Sequence, residues 1–143
     1  MICADTSFLI SLYATDANTS VAQSYLAKAQ APPLVHPLND FELKNAARSL
    51  VCRRIITTAQ SRAWISNFDG DKTRGILTVA ALDLGAMLLK AETLSATHSE
   101  LGGHRGFDIL LVAAALTLGA TEFWSFDNRQ RALAAAEGLT VGP

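Results

Sequence analysis

The N-terminal segment, residues 1–13, reads MICADTSFLISLY. Its first part, Ile2 to Ala4, is a short apolar run, and beyond Asp5 the apolar side chains recur at helical spacing as far as Tyr13. Short polar side chains commonly cap helices, and Asp5 stands where the two patterns meet. The segment therefore predicts a buried strand that leads directly into a helix.

The same alternation continues along the rest of the chain. We expect further buried strands at residues 34–35, 76–77, 122–125 and 139–141. We expect helices at residues 18–30, from Asn39 or Asp40 to about Arg54, from Thr57 or Thr58 to the turn at 69–71, and at 80–96, 107–118 and 128–137. Short buried strands that alternate with helices are typical of a mostly parallel sheet covered on both faces, so the predicted class is α/β.

The composition is that of one globular domain. The 143 residues are 50% hydrophobic and contain no internal repeat or low-complexity linker, so we expect a single domain over residues 1–143. The N-terminus lacks a basic leader, and the longest apolar run, residues 109–120, is about half of the roughly 20 residues that span a bilayer. These features predict a soluble, cytoplasmic protein without a membrane segment.

Cysteine content and charge exclude several kinds of site. Cys3 and Cys52 are the only cysteines, which is too few for a disulfide framework or for a zinc site with paired cysteines. The formal net charge of −1 excludes the broad basic surface common among nucleic-acid-binding proteins, so a nucleic-acid ligand would need a local basic patch. Residues that form either such a patch or only a solvated helix face are Arg48, Arg53, Arg54, Lys72 and Arg74.

Acidic residues are expected to meet at one edge of the predicted sheet. Asp5 and Asp127 each follow a predicted strand, and open parallel sheets place their sites at that edge. Glu42 and Asp108 each fall in the first turn of a predicted helix. Clustered carboxylates repel one another, and a divalent cation relieves that repulsion. Oxygen-only ligation suits Mg²⁺ or Mn²⁺, ions that activate water against a phosphodiester.

Each of these acids also has a simpler interpretation. Asp5 and Asp127 stand where a helix cap is needed, and helix N-termini favour carboxylates in general. Glu42 has the alternative role of a surface residue that pairs with Lys44 or Arg48, and Asp40 competes with it as a ligand. Spacing alone leaves these alternatives open.

Local motifs favour metal binding over the simpler interpretations of these acids. Four of them occur in order over nearly the whole chain: DTSFL at residues 5–9, FEL at 41–43, RGFD at 105–108 before an alanine-rich helix, and GAT at 119–121 followed by SFD at 125–127. They resemble the Asp-Thr-Ser-x-Leu opening, the second acidic position, the Arg-x-x-Asp and the Thr/Ser-x-Asp of PIN-domain ribonucleases. The closest resemblance is to VapC-type toxins of type II toxin–antitoxin systems.

This resemblance implies a fold, an activity and partners. The implied fold is a three-layer α/β/α sandwich with a central, mostly parallel sheet. The implied activity is metal-dependent endonucleolytic cleavage of RNA, with Mg²⁺ or Mn²⁺ as cofactor. The implied partners are a second copy of the chain, in a homodimer, and a protein antitoxin, whose basic tail would suit an acidic pocket. The residues that the resemblance marks as catalytic and metal-binding are Asp5, Glu42, Asp108 and Asp127.

Neighbouring residues are candidates for support. Thr6 and Ser125 have hydroxyls that can hydrogen-bond a ligand carboxylate or a metal-bound water, or else only their own turns. Arg105, three residues before Asp108, is a candidate phosphate contact. The stretch 97–105 contains two histidines and a Gly-Gly pair, so we expect a loop of its own conformation there. We assign no chemistry to the histidines.

Two other functions compete with nuclease activity. Aspartyl-phosphate phosphatases also have an Asp after the first strand. Their motif requires a second Asp two residues later, where this chain has Ser7. A non-catalytic, PIN-like interaction scaffold is the stronger alternative. A non-catalytic scaffold is expected to lack one or more of the four site acids, and this chain has all four of them.

Overall fold

The computed structural model describes residues 1–143. The strands are β1 (Ile2–Ala4), β2 (Leu34–Val35), β3 (Thr78–Val79), β4 (Glu122–Trp124) and β5 (Thr140–Gly142). The helices are α1 (Thr6–Tyr13), α2 (Thr19–Lys28), α3 (Pro37–Cys52), α4 (Thr58–Thr73), α5 (Leu84–Gly102), α6 (Gly106–Thr117) and α7 (Asn128–Ala136). None of the helices is both long enough and apolar enough to cross a bilayer.

The strands form one parallel sheet in the order β3-β2-β1-β4-β5. Cys3 at the centre of β1 lies beside Leu34 on one side and Phe123 on the other. Every strand is short, and the central strand β1 is buried along its whole length, as expected where helices cover both faces, whereas the edge strand β3 is exposed. The β1 strand is therefore the middle of the sheet, and the chain that leaves its carboxyl end starts α1 at the centre of one edge.

Two hydrophobic clusters separate the helices into two layers. Ile2 and Ala4 of β1 face a cluster with α1 to α4, in which Phe8 and Phe68 are fully buried. Cys3 faces the opposite cluster, which α5, α6 and α7 build. This alternation follows from the two-residue period of a strand. The predicted α/β class and three-layer α/β/α architecture are confirmed, and the sheet is entirely parallel.

Several boundaries differ from the prediction. Helix α3 begins at Pro37, before Asn39 and Asp40, because a proline at the first helical position is already set to helical φ. Helix α5 covers residues 84–102, where 80–96 was expected, because the Asp83 carboxylate caps it by accepting the Ala86 N–H at 3.0 Å. The expected strand at 76–77 lies two residues later, at β3. The other elements lie within two residues of their predicted bounds.

Helix α4 passes through the Asp69-Gly70-Asp71 segment, where a turn was predicted. Side chains one turn apart hold the segment helical: Lys72 lies 2.7 Å from Asp69, and Arg74 lies 2.6 Å from Asp71. Such pairs stabilise a helix at i, i+3 spacing. The helix continues to Thr73.

The expected loop at residues 97–105 is also largely helical. Helix α5 continues to Gly102 and ends where Gly103 adopts a left-handed conformation with φ 59°. His98 lies within α5, and its Nε2 is 2.8 Å from a Glu137 carboxylate oxygen. Only three residues therefore separate α5 from α6, and the start of α6 is closely tied to the end of α5.

Candidate functional site

Asp5 lies at the carboxyl end of the central strand and is 1% exposed. Its carboxylate caps α1 by accepting the Phe8 N–H at 2.8 Å, and it accepts the Ser125 hydroxyl at 2.9 Å. The Ser7 hydroxyl lies 2.8 and 2.9 Å from its two oxygens. Burial raises the pKa of Asp5 to about 6, against the opposite effect of these hydrogen bonds. Asp5 therefore caps α1 and also has a carboxylate whose ionisation is made unfavourable by burial.

Glu42 projects from α3 toward Asp5. The Thr6 hydroxyl, in the first turn of α1, donates a hydrogen bond to its carboxylate. Burial raises the pKa of Glu42, and the negative charges of Asp5 and Asp108 raise it further. Neither Lys44 nor any arginine pairs with Glu42. Glu42 is thus near enough to the carboxylates of Asp5 and Asp108 to be repelled by both of them.

Asp108 and Asp127 approach the same edge from α6 and α7. Asp127 follows β4 and caps α7, where its Oδ1 accepts the N–H groups of Arg129 at 2.7 Å and Gln130 at 3.2 Å. The side chain of Gln130 also donates to Asp108 Oδ1 at 3.1 Å. Asp108 and Asp127 line one depression of about 320 Å³. The structure thus places all the predicted site acids at the predicted sheet edge, in two overlapping groups.

The walls of this depression also contain cationic side chains. Arg105 and Arg129 both line it, and neither forms an ion pair. Sequence analysis identified Arg105 but missed Arg129. The signal for Arg129 was its position in the first turn of the helix that Asp127 caps. Two free guanidinium groups beside two carboxylates suit a ligand that contains phosphate.

Two further residues of the site were missed because their roles depend on the fold. The Ser7 hydroxyl, besides its contacts to Asp5, accepts the Phe126 N–H at 2.9 Å, which ties α1 to the β4–α7 loop. Gln130 is 5% exposed, and its Oε1 is buried without a partner. Ser7 was part of a quoted motif, whereas nothing in the sequence distinguishes Gln130 from other helical glutamines.

Asp40, the alternative ligand to Glu42, lies in a different group. Its carboxylate pairs with Lys44 at 2.9 Å and with Lys72 of α4, and both lysines also pair with Asp69. The lysines lower the pKa of Asp40 against the effect of its burial. This network compensates the charge of Asp40 and joins α3 to α4. The site acids have no such compensation.

The chemistry of the donor set fits a hard divalent cation. The donors are all oxygens, none of Asp5, Glu42, Asp108 and Asp127 has a cationic partner, and the orphaned Gln130 Oε1 adds a neutral acceptor. No three His, Cys, Asp or Glu side chains lie close enough together to form a ready ligand set. The side chains therefore suit a divalent ion in their atom type and charge, but they are not already arranged around a single point.

The fold of this chain is similar to that of solved protein structures. No family model and no curated protein sequence matches the chain. VapC20 of Mycobacterium tuberculosis, a sarcin-ricin loop cleaving toxin, has a similar structure with 18% identity and a TM-score of 0.71, over 98% of this chain and 97% of that one. FitAcB from Neisseria gonorrhoeae has 13% identity and a TM-score of 0.62, over 100% and 97%. The chain therefore has the fold of a VapC-type PIN domain, as its four motifs predict.

Proposed function

We propose that this protein is a metal-dependent endoribonuclease that acts as the toxin of a toxin–antitoxin pair. The observation that carries the proposal is the convergence of Asp5, Glu42 and Asp108 at the carboxyl edge of the sheet, where none of the three forms an ion pair. The similarity of the fold to VapC20, a sarcin-ricin loop cleaving toxin, supports RNA as the substrate class.

The roles of the side chains follow from their positions. Asp5, Glu42, Asp108 and Asp127 hold Mg²⁺ or Mn²⁺. When bound, the ion lowers the pKa of its water and neutralises charge on the phosphodiester. Thr6 orients the Glu42 carboxylate through its hydroxyl.

Support and substrate binding fall to other residues. Ser125 orients the Asp5 carboxylate in the same way as Thr6 orients that of Glu42. Arg105 and Arg129 bind phosphates of the RNA at the depression that they line. Their guanidinium groups suit phosphate oxygens because they donate several hydrogen bonds in a fixed plane.

RNA cleavage by the purified protein tests the proposal. Cleavage should require Mg²⁺ or Mn²⁺, stop with a chelator, and be lost in Asp108→Asn. Asp83→Asn is the matched control, because Asp83 also starts a helix but is exposed and caps α5. Cleavage by Asp108→Asn at the parent's rate would refute the assignment. RNA binding without cleavage under any metal condition would favour the non-catalytic scaffold.

The proposed antitoxin is a protein with a basic segment. An acidic pocket without a cation attracts an arginine or lysine, so the segment would occupy the place of the ion and inhibit cleavage. Inhibition should weaken when the arginines of that segment are replaced by alanine. Unchanged inhibition by such a variant would place the inhibitory contact elsewhere.

A homodimer is the proposed assembly. Apolar side chains that stand exposed along α5 support it: Leu84 is 53%, Leu88 56% and Leu89 70% exposed. Exposed apolar surface of this kind commonly marks an interface between proteins. Sedimentation of the purified chain should give twice the monomer mass. A monomer at micromolar concentration would contradict this assembly.

A further inference from the structure

The feature that the roles above leave unexplained is Gln130, a buried residue whose backbone contacts one of the site carboxylates and whose side chain contacts another. Its backbone N–H donates to Asp127 Oδ1 at 3.2 Å, and its side-chain Nε2 donates to Asp108 Oδ1 at 3.1 Å. One residue of α7 therefore contacts the acid at the start of its own helix and the acid in the first turn of α6.

The orientation of the amide follows from its partner. An ionised carboxylate only accepts hydrogen bonds, so the nitrogen of Gln130 must face Asp108 and its oxygen must point away from that carboxylate. That oxygen is buried and has no partner in the chain. Leaving a buried acceptor unpaired is unfavourable, so a residue selected for packing alone would not have an amide here.

We propose that Gln130 is a positioning residue that sets Asp108 and Asp127 at a fixed separation for the divalent ion. The inference rests on the proposed function and extends it to a residue outside the four motifs. Gln130 holds the Asp108 carboxylate in one rotamer through Nε2. Its free Oε1 is left to accept a hydrogen bond from a water molecule that the ion brings into the site.

Metal affinity without turnover provides the first test. Methionine matches the unbranched length of glutamine but has no amide, so Gln130→Met keeps most of the packing and loses the hydrogen bond from Nε2 to Asp108. Residues that orient metal ligands typically contribute about 10- to 100-fold to metal affinity, so Mn²⁺ should bind Gln130→Met that much more weakly in a calorimetric titration. Gln23→Met, on the exposed surface of α2, should bind Mn²⁺ as the parent does.

The parent protein provides a second test that does not depend on how a variant folds. Titration with Mg²⁺ should shift the NMR signals of the Gln130 side-chain amide, because its partner Asp108 gains a ligand. The amide of Gln60 is the control, since it belongs to the capping box of α4 and its oxygen accepts the Thr57 N–H. A glutamine without contact to a metal-binding carboxylate, such as Gln60, should not respond to the ion.

The outcomes separate the two proposals. If the parent binds neither Mn²⁺ nor Mg²⁺, the metal-dependent function fails and the role of Gln130 fails with it. If the parent binds Mn²⁺ and folded Gln130→Met binds it within twofold, only the role of Gln130 is overturned. The same holds if saturating Mg²⁺ leaves the Gln130 amide signals in place. Weaker Mn²⁺ binding by the variant together with a shifted amide signal supports the proposal.

Discussion

The Ser125 hydroxyl donates a hydrogen bond to Asp5 Oδ2 at 2.9 Å, which joins the carboxyl ends of the two central strands across 120 positions of sequence. Ser125 is fully buried, and its oxygen also accepts the Asp127 N–H at 2.9 Å. One serine therefore connects the acid that follows β1 with the acid that follows β4.

Replacing this serine should cost stability. Ser125→Ala removes a hydrogen bond to a buried charged group and leaves the Asp127 N–H without that acceptor, so we expect the free energy of unfolding at pH 7 to fall by about 1.5–3 kcal/mol. Denaturant unfolding measures it, with the exposed Ser95→Ala as control. A loss below about 0.5 kcal/mol, the usual range for surface substitutions, would contradict the importance of this contact.

Asp5 should make the metal-free protein less stable at neutral pH. Its pKa in the fold, about 6, lies above its ordinary value of 3.8. Protonation therefore favours the folded state: the group is neutral in both states at low pH, and its cost develops as the pH rises through about 6. A pKa difference of this size corresponds to about 3 kcal/mol by pH 7.

Asp5→Asn removes that cost, so with chelator at pH 7 the variant should melt at the same temperature as the parent or higher. At pH 4 the advantage should disappear. Metal bound at 100 times its dissociation constant stabilises by about 2.7 kcal/mol, so added Mn²⁺ should raise the melting temperature of the parent much more than that of the variant. A variant that melts well below the parent in chelator yet keeps the full Mn²⁺ response would show that Asp5 is only the cap of α1.

His36 should have the opposite pH dependence. It is 3% exposed and precedes α3, and burial lowers its pKa to about 4. Because the folded pKa lies below the unfolded value of 6.5, the neutral ring favours the fold above pH 6.5, and that contribution is lost as the pH falls toward 4. His36→Asn, which keeps a good helix-capping residue, should lose less stability than the parent between pH 6.5 and 4.5. Parallel pH profiles in urea unfolding would contradict this.

Arg105 and Arg129 should contribute to RNA affinity through charge. Each phosphate contact to single-stranded RNA adds about 0.7 to the slope of log affinity against log salt. Arg105→Ala and Arg129→Ala, in an Asp108→Asn background that prevents cleavage, should each reduce the slope by about that amount. Arg74→Ala is the control, since this arginine pairs with Asp71 on α4. If an arginine variant has the same salt slope as the Asp108→Asn protein, that arginine does not contact RNA phosphates.

Asp40→Asn should separate stability from metal binding. Asp40 is 37% exposed and takes part in the lysine network between α3 and α4, so its loss should cost about 0.2–1 kcal/mol, as for other exposed ion pairs. The Mn²⁺-induced rise in melting temperature should be unchanged. A diminished rise would reinstate Asp40 as a ligand in place of Glu42.

The order of the elements and most of the residues at their junctions were predictable from local sequence. Strand β1, the cap at Asp5 and the start of α6 beside Asp108 were predictable because local apolar periodicity and capping chemistry depend only on neighbours in the chain. The continuation of α4 through Gly70 was not predictable, because side-chain pairing with Lys44 and Tyr13 from other helices helps to hold that segment. Propensity favoured a turn, and these tertiary contacts, together with the ion pairs of Asp69 and Asp71 within the segment, outweighed it.

The contacts that hold the acids depend on long-range packing. Helical periodicity and capping chemistry do not distinguish Glu42 from Asp40, yet α3 turns Glu42 toward Thr6 and Asp40 toward Lys72. Gln130 contacts Asp108 only because α6 and α7 pack side by side against the same face of the sheet. Local sequence encodes which chemical groups are present. Which groups meet depends on long-range packing, since side chains two positions apart on a helix face different directions, and the neighbouring elements decide which of them reaches the site.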